Sequence, residues 1–448
     1  AFEAVNALGV PHDAIDGWSR LDAHIPMLPW SEPFYFLDYP FVLAVPLLVR
    51  TRLKDFAYRG WIATIAVTLI YLCVPVVVAP KPVTGTGVLQ TLMMWERRFN
   101  EPVTAFPAFH VIWAFIAAAA YRKRIAWIAA IAIAISCLTT GMHTIADVLF
   151  AAVVSIAVLN HRAIARFIVT RTERLANSWR EYDLGVIRVM THGIYAALGA
   201  TFGVLLVATF TGGMTPAVVF VAAATILGAA LWAQFIEGSP QLLRPYGYYG
   251  GLLGACIAIA FTPDPWRMLA AYAVAAPLVQ AFGRLRCLVQ GCCHGRRYEF
   301  GIRYTHPRSR VTRLSELANQ PLHATQLYSI LGSIVSLIVL VRLWIAGAPL
   351  QFIAGTSFIL AGLVRFVEEH FRGEPQTKIV AGLRVYQWLA IASVIAGAAM
   401  MAIGNTPAPA PVAPDLRDVL IAMFTGIGTY IAYGVDFPRL NVRFSRLV

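Results

Sequence analysis

Apolar residues run along this chain in blocks, most of about 17–25, the length that crosses a bilayer's hydrocarbon core as one helix, with shorter ones where a helix abuts a polar site. Blocks fall at 34–50, 60–80, 105–121, 125–140, 143–159, 193–211, 216–236, 248–262, 267–283, 325–345, 351–367, 384–403 and 416–434. They predict an all-α polytopic membrane protein of about thirteen transmembrane helices in two helical bundles.

The pattern breaks in three places. Over 161–190 arginines alternate with Ile, Phe, Leu and Trp at helical spacing, as in an amphipathic helix lying on a membrane surface. A second insertion, 284–324, is rich in Arg, Gly and Pro, and "NTPAPAPVAPD" at 405–415 is a Pro/Ala loop. The expected division is a membrane domain at 1–160, a basic amphipathic linker at 161–190 and a second membrane domain at 191–448, with no repeat relating the two.

Composition agrees. The 448 residues are 58% hydrophobic and only 13% charged, with a mean hydropathy of +0.66, which excludes a soluble globular protein. The net charge of +13 is scattered over interhelical loops with no nucleic-acid-binding motif. Anionic lipid, rather than nucleic acid, is the expected partner. The basic stretches 50–59, 121–124, 161–190 and 284–324 fall on one side of a thirteen-span arrangement, the cytoplasmic side by the positive-inside rule. Loops 81–104 and 141–142 then face outward. The start of the chain has neither a basic n-region nor an uninterrupted apolar h-region, so it does not read as a cleavable signal. Six cysteines without regular spacing are expected as reduced thiols.

Ionisable groups inside these blocks are the candidate chemistry, because they are costly in a membrane. His143 and Asp147 lie four apart, on one helix face. His110 follows Pro107 near a helix start, where an anion is favoured. One imidazole to attack phosphorus, a carboxylate to orient it and a second imidazole to protonate the leaving oxygen make a phosphoryl-transfer set. Lys81, Arg97 and Arg98 precede it as candidate phosphate clamps. "PAFH" (107–110) and "SCLTTGMHTIAD" (136–147) resemble the motifs of the type-2 phosphatidic-acid phosphatase superfamily, in its inositol-phosphotransferase-like branch. The resemblance implies His143 as nucleophile, Asp147 as its partner and His110 as acid, with Ala108 and Cys137 standing where the family has serine and, often, arginine.

In the second half, Arg365, Glu369 and Arg372 recur at i, i+4 and i+7. Guanidinium groups placed so suit a phosphodiester, which each can grip through two oxygens. "RPYGYYGGLLGA" (244–255), "GRLRCLVQGCCHGR" (283–296), "PLHATQLY" (321–328) and "RFVEEHFR" (365–372) resemble, in order, the prolipoprotein diacylglyceryl transferases. That likeness implies phosphatidylglycerol as donor, Arg284 and Arg365 polarising its phosphate, and Glu369 and Arg372 holding the pocket. Tyr249, Gly250, Gly251, His323, Gln326 and Tyr328 join the substrate-binding set, with His323 expected to cap or orient a helix rather than react. Tyr249 stands where the family has histidine, so a lipid or glycolipid hydroxyl is a plausible acceptor. "CLVQGCCHG" also offers Cys287, Cys292, Cys293 and His294 as donors. Neighbouring cysteines seldom share one ion, and the family likeness accounts for the glycines, so no metal or other cofactor is expected.

Together these motifs point to a bifunctional lipid transferase of the bacterial cytoplasmic (inner) membrane. It would use an anionic glycerophospholipid to make or remodel an envelope lipid or glycolipid. Two alternatives stay open: a lipid phosphatase or transferase with one active half, and a transporter that reuses both phosphate pockets. The family likeness puts the transferase motifs on the outer face, against the charge rule, unless a re-entrant segment reverses the second half.

Overall fold

The computed structural model describes residues 5, 10, 13–99, 104–236, 247–373, 378–437 and 442–443. Parts of three expected features, 244–246, 374–377 and most of the basic C-terminal tail, lie outside the described residues. The chain forms two compact units, Ala1–Arg166 and Phe167–Val448. Their boundary falls within the helix His161–Ala176, so the amphipathic stretch is shared between the units.

The structure is an all-α polytopic membrane protein in class, but the thirteen blocks do not become thirteen equal spans. Among the described residues six helices are long and apolar enough to cross a membrane, or seven if the bent pair Ile145–Leu159 and His161–Ala176 counts as one. The blocks at 105–121, 125–140, 248–262 and 384–403 yield shorter apolar helices, Phe109–Tyr121, Arg124–Thr139, Tyr248–Ile259 and Val385–Met401. The block at 34–50 is broken into Glu32–Phe36, Asp38–Leu43 and Val45–Leu48. Pro33, Pro40 and Pro46 explain this, each removing a backbone donor. The last block is one helix, Leu416–Gly434, capped by the Asp415 side chain on the Asp418 N–H.

In the first unit the helices Leu53–Cys73, Phe109–Tyr121, Arg124–Thr139 and Ile145–Leu159 close around a core of Val111, Ile112, Ile116, Cys137 and Ala151. Thr144 starts the last of them with a capping box shared with Asp147. Capping fixes the Asp147 carboxylate at the buried end of that helix.

In the second unit glycines set the helix spacing. A Cβ added at Gly250 would lie 2.1 Å from the Trp232 Cβ and 2.4 Å from the Gly228 carbonyl oxygen. Gly355 and Gly397 meet in the same way between Leu350–Phe371 and Val385–Met401. Such close approach brings dispersion contacts that larger side chains would prevent, and in lipid these replace the hydrophobic effect as the force joining helices. Short strands appear where the sequence indicated only polar insertions. Glu181–Asp183 and Arg188–Met190 form a hairpin extended by Val435–Phe437 and Val442–Arg443, and Arg297–Arg303 pairs with Pro321–Leu322.

Two helices run on past their apolar blocks. Pro265–Gln290 continues about two turns beyond 283 to carry Arg284 and Arg286, stopping at Gly291 with φ +74°. Leu350–Phe371 likewise runs four residues past 367 to carry Glu368 and Glu369, with Arg365 just inside the block. Arg284 therefore belongs to a long membrane-class helix, not to a polar insertion. Its charge does not end the helix because a carboxylate meets it there.

Candidate active sites

The first unit brings His143, Asp147 and His110 together. His143 Nδ1 lies 3.4 Å from Asp147 Oδ2, and the His110 and His143 rings are 6.1 Å apart. Asp147 is fully buried and its Oδ2 accepts from the Thr144 N–H at 2.8 Å. His110 is held between two phenols, with Tyr35 Oη 3.5 Å from Nδ1 and Tyr39 Oη 3.5 Å from Nε2. Neither tyrosine was singled out from the sequence; both lie in the proline-broken block.

The expected clamps are placed otherwise. The Lys81 ammonium donates to the carbonyls of Asp22 and Ile25 at 2.8 and 3.0 Å. Arg97 donates to the Lys81 carbonyl and, at 2.8 Å, to that of Thr140. Arg98 is exposed. Lys81 and Arg97 thus tie the segment at 22–25, the Lys81 backbone and the Thr140 turn together.

The second unit builds a different site from the ends of its two overrunning helices. Arg284 Nη2 lies 2.8 and 3.0 Å from the two Glu368 oxygens. Arg365 reaches Glu368 at 3.3 Å and Glu369 at 3.0 Å. Arg372 is 3.3 Å and Arg384 3.5 Å from Glu369, and the Ser329 hydroxyl donates to Glu368. Among the described residues, four guanidinium groups thus surround two buried carboxylates, a formal excess of two positive charges. Arg365 Nε is buried with no hydrogen-bond partner among the described residues, and the guanidinium lies over the Tyr386 ring at 4.9 Å.

Glu368 is the hub, and the sequence reading missed it. The signal was present in "RFVEEHFR": a carboxylate at i+3 from Arg365 and i−4 from Arg372 faces both. Arg384 was also missed, because it comes to the site from outside the motif.

The remaining expected residues surround this cluster in supporting places. Tyr249 donates its hydroxyl to the Tyr386 carbonyl at 3.2 Å, so its proton is already engaged. Gly250 packs against Trp232, and Gly251 lies beside Ala229 and Thr225. Gln326 Nε2 donates to the Cys292 carbonyl at 2.6 Å. His323 stacks on Tyr298 at 4.1 Å, with Nδ1 2.9 Å from Tyr328 Oη. It orients Tyr328 and does not cap the helix Thr325–Ile345, whose start has no side-chain cap. Burial, then the charges of Arg296 and His370, lower the His323 pKa.

Residues 181–403 match the family model of prolipoprotein diacylglyceryl transferase, and that segment contains every residue of the arginine cluster. Two similar proteins carry closely related names. The phosphatidylglycerol–prolipoprotein diacylglyceryl transferase of Clostridium tetani (strain Massachusetts / E88) is 26% identical over 177 residues, covering 36% of this chain and 67% of the relative. The phosphatidylglycerol–prolipoprotein diacylglyceryl transferase 2 of Clostridium perfringens (strain 13 / Type A) is 26% identical over 177 residues, covering 37% and 66%. Residues 1–180 lie outside the family match.

Proposed function

We propose that the second unit is a lipid transferase that takes its diacylglyceryl group from phosphatidylglycerol. The observation that carries this reading is the buried excess of guanidinium over carboxylate, with a free Arg365 N–H. A buried cationic cluster calls for an anion, and a phosphodiester offers paired oxygens to planar guanidinium groups. Arg284 and Arg365 bind the donor phosphate. Glu368 and Glu369 keep the four arginines from repelling one another before the donor arrives. An acceptor thiol or hydroxyl attacks the glyceryl carbon, the carbon–oxygen bond breaks, and glycerol phosphate leaves with the bonding electrons and takes up the acceptor's proton. The arginines stabilise the charge gathered on that leaving phosphate. The acceptor is a lipoprotein cysteine, as the relatives' names indicate for them, or a lipid or glycolipid hydroxyl. The protein works in a bacterial cytoplasmic membrane.

The first unit supports a second activity on the same proposal. His143 attacks a lipid phosphoryl group, Asp147 holds its imidazole and His110 protonates the leaving oxygen. The opposed His110 and His143 rings favour this reading over transport, which needs no nucleophile.

The test is full-length protein in liposomes of phosphatidylglycerol plus total bacterial lipid, with and without a cysteine-bearing lipoprotein peptide. Mass spectrometry then follows lipids, peptide and water-soluble products. Donor-dependent glycerol phosphate lost in Arg284→Ala supports the transferase, and inorganic phosphate or a phosphoryl-transfer product lost in His143→Ala supports the second centre. Absence of both products from every lipid mixture would overturn both assignments.

A further inference from the structure

Beside the arginine cluster, Cys287, Cys292 and Cys293 bring their Sγ atoms within 4.8 Å of one another, and among the described residues no other His, Cys, Asp or Glu joins the group. Adjacent cysteines usually point apart. Here Cys293 adopts φ +58°, a left-handed conformation uncommon for a residue with a Cβ, and the turn this makes sets both neighbouring thiols towards Cys287. The turn is held from outside. Thr325 Oγ1 donates to the Cys293 carbonyl and Gln326 Nε2 to that of Cys292, each at 2.6 Å. Gly291, at φ +74°, ends the helix just before it.

We infer that these three thiols form a binding site for a thiophilic d10 metal cation, Zn²⁺ or Cu⁺. Sulfurs sharing one such ion through bonds of about 2.3 Å stand roughly 3.8–4.0 Å apart. The observed group needs only a small contraction to reach that. A disulfide needs a sulfur–sulfur distance of about 2 Å and leaves the third thiol unused. Charge agrees as well. Three thiolates on a divalent ion carry a net negative charge, and Arg284 precedes Cys287 by three residues on the same helix face, while the backbone of Arg372 bridges to Gly295, two residues past Cys293. Three sulfurs suit trigonal Cu⁺, or Zn²⁺ with one position open. The site would fix the segment after the Arg284 helix, which bridges through Gly295 to Arg372 at the end of the Arg365 helix.

The test uses the full chain, purified in detergent under a non-chelating reductant and given Zn²⁺ or Cu⁺ in separate arms, then analysed for metal by mass spectrometry. Co²⁺ replaces zinc as a spectroscopic probe. The expected result is about one metal per chain, with intense thiolate-to-cobalt bands in the near ultraviolet. Cys287→Ser and Cys293→Ser should abolish those bands and Cys256→Ser, outside the cluster, should keep them. Should either serine variant fail to fold, the wild-type cobalt spectrum decides. No thiolate bands and no stoichiometric metal in wild-type protein, or equal metal in a folded triple Cys287/Cys292/Cys293→Ser variant, would overturn the site. So would a Cys287 disulfide in protein prepared without air. None of these readouts depends on lipid transfer.

Discussion

The two units handle positive charge in opposite ways. In the first, Lys81 and Arg97 donate to backbone carbonyls and brace the loops around the Thr140 turn. In the second, four arginines gather on two carboxylates and remain in excess. The same residue types, read from sequence as phosphate clamps in both halves, are struts in one and a candidate anion site in the other. What separates them is the partner. A carbonyl satisfies a cation's hydrogen bonds without cancelling its charge, whereas a carboxylate does both, so a surplus of arginine over carboxylate marks the place where another anion fits.

The largest effect should come from breaking the hub. Glu368→Gln leaves Arg284, Arg365 and Arg372 without their shared carboxylate, and removing one partner of a buried ion pair costs about 3–5 kcal/mol. Thermal unfolding in detergent should show a strong loss, together with loss of donor-dependent glycerol phosphate release. Arg365→Lys should weaken donor use by roughly 10- to 100-fold, because one ammonium cannot span two carboxylates and a phosphate; the rate at varied phosphatidylglycerol concentration reads this. Gly250→Val, which changes spacing and not charge, should cost about 1–3 kcal/mol by overpacking against Trp232, visible in the same melting experiment. Asp147→Asn should barely alter stability, within about 1 kcal/mol, since the asparagine side-chain oxygen can still accept from the Thr144 N–H in the capping box. It should nonetheless remove any phosphoryl transfer by His143, and a variant that kept that product would take Asp147 out of the proposed chemistry.

The smallest effect is one of pH. His192 is buried against Trp179, and burial, reinforced by the Arg286 charge, lowers its pKa from 6.5 to about 3. The unfolded chain therefore binds a proton that the folded chain refuses between those values. Stability should fall as pH drops from 6.5 towards 3 and hold steady above 6.5. His192→Phe should flatten that slope in melts taken across the range.

The membrane class was legible from apolar block lengths, and the histidine and arginine motifs from their i, i+3 and i+4 spacing. Helix limits were less so. Arg284 and Glu368 looked like interruptions because a hydropathy pattern counts a charge as exposed, while the two cancel across two helices 84 residues apart in sequence. The opposite error affected Lys81 and Arg97, since sequence carries no trace of which carbonyls a cation will meet. Pro40 and Pro46 within 34–50, with Pro33 just before it, were a readable signal that hydrophobicity outweighed. Cys293 illustrates a third kind of gap, for nothing in "GCCH" announces a left-handed residue.

The overrunning helices also settle a question of depth. Arg284 lies six residues before the end of Pro265–Gln290 and Arg365 six before the end of Leu350–Phe371, so both stand about 9 Å in from their helix termini. A 26-residue helix is about 39 Å long, against a hydrocarbon core of about 30 Å. Centred in the bilayer, it would bring its arginine close to the edge of the hydrocarbon, near the level of a lipid's own phosphate. A donor could then slide in sideways and react with its acyl chains still among their neighbours, so that its extraction from the bilayer need not be part of the barrier.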